Sequence, residues 1–178
     1  MGRKTFVTIH MYLAAFFAPA VLLVAISGGL YLVGIKGKVE LESIYSSELV
    51  LDRKSSSLKA DVSSLLNAAG ASDYRFEAIS AKNDTLYTRP TSAEHYVIKL
   101  ASTGVEVLHA RPNLQSRMIE LHKGHGPKAF KTFQKLAAIG LVFIMASGLW
   151  LGLSAAKLRR STLLTAGAGA VVFALLLL

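Results

Sequence analysis

His10 and His122 are the side chains in this sequence best suited to chemistry. His10 stands inside an apolar run, Phe6 to Ile35, that contains no Asp, Glu, Lys or Arg. At 100° per residue it shares a helix face with Ala14, Phe17, Val21, Val24 and Gly28. The small residues on that stripe let a second helix approach closely. An ionisable group in such a place is a functional candidate by default. Its imidazole could ligate a haem iron or carry protons. The plainer alternative is an interfacial histidine at headgroup level.

The second candidate stretch is Leu121–His122–Lys123–Gly124–His125–Gly126. His122 and His125 are three apart and would be neighbours on an unbroken helix. They could bind a metal as a pair, though a single axial haem ligand is the better use, with His122 ahead of His125. Lys128, Lys131 and Lys135 follow within one helical sector. Such a row, Lys128 and Lys131 above all, could hold haem propionates or an anionic substrate. It could equally snorkel to lipid phosphates. An internal echo completes the set: Ser27–Gly28–Gly29–Leu30–Tyr31–Leu32 and Ala146–Ser147–Gly148–Leu149–Trp150–Leu151. Gly148 and Gly152 add a Gly-x-x-x-Gly step, which signals close packing.

These residues need positioning elements, and composition says which. The chain has 178 residues, a net charge of +9, 52% hydrophobic and 17% charged residues, and no cysteine. Iron–sulfur clusters, thiolate zinc sites, disulfides and cysteine nucleophiles are therefore excluded. All 11 acidic residues lie from Glu40 to Glu120, and outside residues 36–128 there are only basic charges. That segregation argues against nucleic acid as a partner and for a lipid bilayer. Three charge-free runs, Phe6–Ile35, Leu136–Leu153 and Ser161–Leu178, are long enough to cross a hydrocarbon core. A secretory h-region is only about 7–15 residues. The first run continues well beyond that and reads as an uncleaved anchor.

The expected order is a first transmembrane helix in 1–35, an extramembrane α+β domain in 36–111 and an interfacial amphipathic helix in 112–126. A second transmembrane helix in 127–154, a basic link in 155–160 and a third transmembrane helix in 161–178 complete it. Arg3 and Lys4 precede the first span, and Lys157, Arg159 and Arg160 link the last two. Short basic flanks stay cytoplasmic. The N-terminus is then cytoplasmic and residues 36–128 lie across the membrane, in the periplasm if the source is a Gram-negative bacterium. The absence of cysteine fits an oxidising compartment.

Within the extramembrane part, Ser57–Ala69 carries Leu58, Val62, Leu65 and Leu66 at helical spacing, and Gly70 stops it. Alternation predicts a strand through Tyr74, Phe76 and Ala78, then a turn at Asn83–Asp84. It also predicts a hairpin of Tyr96–Leu100 and Val105–His109 around Ser102–Thr103–Gly104. Leu49–Leu51 could add a strand, and Pro112 opens the next helix. His95 and His109 read as surface or partly packed strand residues. No nucleophile–base set, phosphate loop, NAD fingerprint or flavin fingerprint is present, so no catalytic residue is assigned and any electron donor is external.

Geometry then limits the chemistry. His10 is expected near the inner surface and His122 near the outer, so one iron cannot bind both. Each would need its second ligand from another copy or subunit, or leave the iron five-coordinate. The spans hold no Asp, Glu, Lys or Arg between their ends, which argues against transport by this chain alone.

In order and spacing, these motifs resemble the PepSY-associated transmembrane proteins. The likeness rests on Ile9–His10, the exit Ser27–Gly28–Gly29–Leu30, and the closing hairpin Tyr96–Val97–Ile98–Lys99–Leu100 with Thr103–Gly104–Val105–Glu106–Val107–Leu108. It continues in the entry Ile119–Glu120–Leu121–His122–Lys123–Gly124 and the exit Ala146–Ser147–Gly148–Leu149–Trp150. With the three charge-free runs, the resemblance implies a membrane α-helical protein whose extramembrane part is a small α+β PepSY-like domain, the runs themselves supplying three transmembrane helices. Larger members are inner-membrane b-haem proteins that reduce ferric siderophores or pass electrons across the membrane. Against them this chain is short, with three spans where the siderophore reductases have at least four, and with fewer membrane histidines.

The expected function is thus an inner-membrane b-haem electron-transfer subunit serving periplasmic iron–siderophore or flavin reduction, with His10 and His122 as iron ligands. One alternative is a non-enzymatic membrane-anchored module whose periplasmic domain binds or regulates a partner protein. Another is an accessory subunit of a larger membrane complex. A homo-oligomer or another membrane subunit is the expected neighbour.

Overall fold

The computed structural model describes residues 2–178, which form two compact units. Three helices are long and apolar enough to cross a membrane: α1 (Arg3–Leu32), α4 (Lys128–Ser154) and α5 (Arg159–Leu177). Their existence follows from the charge-free runs, since a backbone in hydrocarbon must satisfy its hydrogen bonds internally. α1 continues through Pro19.

Among the described residues, the first unit contains 2–21 and 135–178. On α4 its buried positions are Ala137, Gly140 and Ser147, spaced three and seven apart and so on one stripe. Phe17 of α1 is buried against that stripe, and a Cβ at Gly140 would strike the Phe17 ring. Phe6 adds tilted ring contacts with Trp150 at 4.6 Å and Phe143 at 6.3 Å. At the other glycine pair, Gly152 leaves room for Thr162 of α5.

The second unit, residues 22–134, is built on an antiparallel five-stranded sheet of order β1-β5-β4-β3-β2. The strands are β1 (Val39–Ser47), β2 (Ala78–Lys82), β3 (Thr85–Arg89), β4 (His95–Ala101) and β5 (Gly104–Pro112). Helix α2 (Leu58–Ala68) places Val62, Leu65 and Leu66 against Leu86, Ile98, Val105 and Val107. Because strand side chains alternate, Val97, Leu108 and Ala110 face the opposite way and form a second buried cluster with Tyr87. The β4–β5 hairpin and the Asn83–Asp84 turn stand where the sequence puts them.

Three local expectations are corrected. Tyr74 and Phe76 are not in a strand; they pack on the α2 core from the segment ahead of β2, and the ladder starts only at Ala78. Leu49–Leu51 forms no strand; the strand beside β5 is the hydrophilic β1. Pro112 ends β5 instead of opening a helix, and Asn113 caps α3 (Leu114–His122) by accepting from the Ser116 backbone N–H at 2.9 Å. Gly37, with φ +79°, sits against this cap, where a Cβ would come within 2.5 Å of Ser116 N.

Candidate functional site

The two halves of the sequence echo are histidine seats. In the first unit, His10 Nδ1 lies 2.8 Å from Ser147 Oγ. Ser147 is 3% exposed, and its hydroxyl also reaches the Ile144 carbonyl at 3.0 Å. The neighbouring Gly148 leaves room for the ring; a Cβ there would stand 3.3 Å from His10 Cε1. In the second unit, His122 Nδ1 lies 3.1 Å from Ser27 Oγ. Ser27 is fully buried and reaches the Val24 carbonyl at 3.2 Å, while a Cβ on Gly28 would stand 3.6 Å from His122 Cε1. Each histidine thus rests on a Ser-Gly step of another helix, with Nδ1 on the hydroxyl. Among the described residues neither Nε2 has a hydrogen-bond partner.

Both rings line open grooves. His10 shares one of about 550 Å³ with Met145, Gly148, Thr162, Thr165 and Ala166. His122 shares another of about 320 Å³ with Ser27, Gly28, Tyr31, Leu32 and Ile119. Gln115, two turns before His122 on α3, holds that helix to the end of α1 by donating to the Ser27 and Ile35 carbonyls at 3.3 and 3.0 Å.

His122 and His125 do not act as a helical pair. α3 ends at His122, Gly124 has φ +75°, and the His125 and Gly124 N–H groups bond back to the Glu120 and Leu121 carbonyls at 2.9 and 3.0 Å. This is a Schellman stop, which the Lys-Gly-His sequence favours. It turns His125 to Glu120, whose carboxylate is 2.8 Å from Nδ1.

Glu120 is a residue that sequence reasoning missed. It accepts from Thr91 at 2.5 Å and from Lys123 at 3.1 Å, and lies 3.7 Å from Arg89. Desolvation is the largest influence on its carboxyl and pushes its pKa up, but the Thr91, His125 and Lys123 hydrogen bonds together bring it down to about 2. This cluster ties α3, and with it His122, to the strand domain.

His95 is buried, its Nδ1 2.9 Å from the Ala93 carbonyl, and desolvation lowers its pKa. His109 stacks on Tyr96 and meets Glu94 at 3.2 Å. Lys128, Lys131 and Lys135 are all exposed on α4. The Lys128 backbone N–H donates to the Glu77 carboxylate at 3.1 Å.

The donor set would suit a haem iron, which His10 and His122 could each hold through one imidazole nitrogen. Each seat offers one imidazole that lines a groove and whose Nε2 has no hydrogen-bond partner among the described residues, and no group of three or more His, Cys, Asp or Glu side chains stands together among them. Such a set could hold a metal or cofactor through one imidazole nitrogen only.

No curated protein and no solved structure matches the chain. The sequence model of the PepSY-associated TM region matches residues 7–175. Nearly the whole chain, both histidine seats included, falls inside that match: the protein is a multi-pass membrane protein of the PepSY-associated TM family.

Proposed function

We propose that this protein is an electron-transfer subunit of the bacterial inner membrane, with His10 and His122 each ligating a haem b iron through Nε2. The single observation that supports the reading is the reciprocity of the seats: two imidazoles, far apart in sequence, are each held on a Ser-Gly step and keep one nitrogen free. Bound haem would supply a one-electron redox centre. The chain's own part is to orient the imidazoles, to keep an apolar surround for the macrocycle, and to offer Lys128 and Lys131 as counter-charges for propionates. His125, committed to Glu120, helps to hold His122 in place. In this reading the N-terminus is cytoplasmic and residues 36–128 are periplasmic, where the electrons would serve iron–siderophore or flavin reduction. The missing second ligands come from another copy or another membrane subunit. Purification in detergent with haem supplementation tests it: a Soret band that co-migrates with the protein supports the reading, and its absence rejects it.

A second reading has its own support. β1 is an edge strand with Val39, Leu41 and Ile44 exposed. A row of free backbone groups with apolar side chains suits addition of a strand from a partner protein. Under that reading the periplasmic domain is a non-enzymatic docking module, and a variant lacking both His10 and His122 imidazoles keeps its activity.

A further inference from the structure

We infer that Ser27 and Ser147 are positioning residues that set the tautomer of His122 and His10, fixing the proton on Nδ1 and turning the Nε2 lone pair outward. The inference rests on the haem reading for its purpose but not for its geometry.

A serine hydroxyl has one proton and two lone pairs. Around Ser147 Oγ stand two polar atoms, the Ile144 carbonyl oxygen at 3.0 Å and His10 Nδ1 at 2.8 Å. A carbonyl oxygen only accepts, so the serine proton goes to it. Ser147 Oγ is then left with lone pairs facing Nδ1, and the contact is favourable only if Nδ1 carries the hydrogen and donates. If the serine donated to Nδ1 instead, its lone pairs would face the carbonyl oxygen at 3.0 Å. The same count holds at the other seat, where Ser27 Oγ reaches the Val24 carbonyl at 3.2 Å and His122 Nδ1 at 3.1 Å. Both serines are almost wholly buried, so water does not offer a competing partner.

With Nδ1 protonated, a neutral imidazole has its lone pair on Nε2, the form that could ligate a metal through that atom. Metal-bound histidines commonly donate the other ring N–H to a fixed acceptor, which sets tautomer and ring orientation. Here a helix supplies that acceptor by presenting a serine whose own proton is already used three residues back. The following glycine removes the Cβ that would crowd the ring, so the Ser-Gly step acts as one device and occurs twice.

Long-range proton–nitrogen spectra of the histidine-labelled full-length protein without haem, in detergent at pH about 8, test this directly. Loss of individual signals in His10→Ala and His122→Ala assigns the rings. His10 and His122 are expected to show a protonated Nδ1 and an unprotonated Nε2. Ser147→Ala is expected to move His10 toward the averaged pattern of a free imidazole and leave His122 unchanged; Ser27→Ala should do the reverse. Ser→Thr, which keeps the hydroxyl, should restore the pattern wherever the variant folds. In the haem-loaded protein each alanine variant should weaken binding at its own seat by about 10–100-fold. A proton found on Nε2 in the wild-type protein, which needs no variant to fold, overturns the inference even if haem binds. Absence of haem binding with the expected tautomers rejects the haem reading and leaves this inference standing.

Discussion

His10 and Ser147 meet at 2.8 Å although 137 residues separate them. His122 and Ser27 make the corresponding contact across 95 residues. The chain therefore uses one local solution twice, a serine with its proton committed to its own helix and a glycine beside it. The packing around the first seat predicts how it fails.

Gly140→Ala should destabilise the first unit by about 1–3 kcal/mol, because the added methyl runs into the Phe17 ring of α1 and a packed interior resists overfilling. Thermal unfolding in detergent checks this. Gly29→Ala, with open space around its Cβ position, is the control and should leave the midpoint unchanged.

Leu66→Ala should cost about 2–5 kcal/mol in the extramembrane fold, since Leu66 is 1% exposed and central to the cluster between α2 and the sheet. Denaturant unfolding followed by tyrosine fluorescence reads the loss. Leu49→Ala, on an exposed loop, should change little.

Glu120 sets an acid limit on the attachment of α3. Its folded-state pKa lies below the ordinary value of 4.5, at about 2, so its stabilisation is complete above 4.5 and is lost as pH falls through the range down to 2. The carboxylate is one-fifth exposed, and the contribution is on the order of 1–2 kcal/mol after solvent screening. Glu120→Gln should lose that stability at neutral pH, and the difference from wild type should vanish near pH 2. Proteolysis at the loop around Gly124 across pH follows it.

His95 predicts a separate, milder transition. Burial lowers its pKa below 6.5, so folding favours the neutral ring; its contribution is present above that value and lost as pH falls below it. His95→Gln should flatten the part of the stability profile just below pH 6.5.

Much of this was legible in the sequence, for identifiable reasons. A helix that must bury its backbone in lipid announces itself by the missing charges, so α1, α4 and α5 follow directly from their apolar runs. The core of α2 is equally direct, because Leu58, Val62, Leu65 and Leu66 repeat at the helical period. Strand β1 was hidden because an exposed edge of sequence Val39–Glu40–Leu41–Glu42–Ser43 has no buried face to display. Tyr74 and Phe76 alternate as a strand would, yet alternation reports only that both side chains point at a core, and the ladder begins later. The echo Ser27–Gly28 and Ser147–Gly148 was visible as a repeat, but its purpose was not, since the partner imidazoles come from remote positions. Glu120 escaped notice because Thr91 and Arg89 reach it only through the folded sheet.

The claim that both seats present iron-ligating imidazoles is tested most directly by the absorption spectrum of the dithionite-reduced protein, purified in detergent after haem supplementation. The account predicts a reduced b-haem spectrum in wild type, a partial loss in His10→Ala and in His122→Ala, and no bound haem in the double variant. A wild-type protein without a Soret band, or a double variant whose spectrum matches wild type, would contradict it.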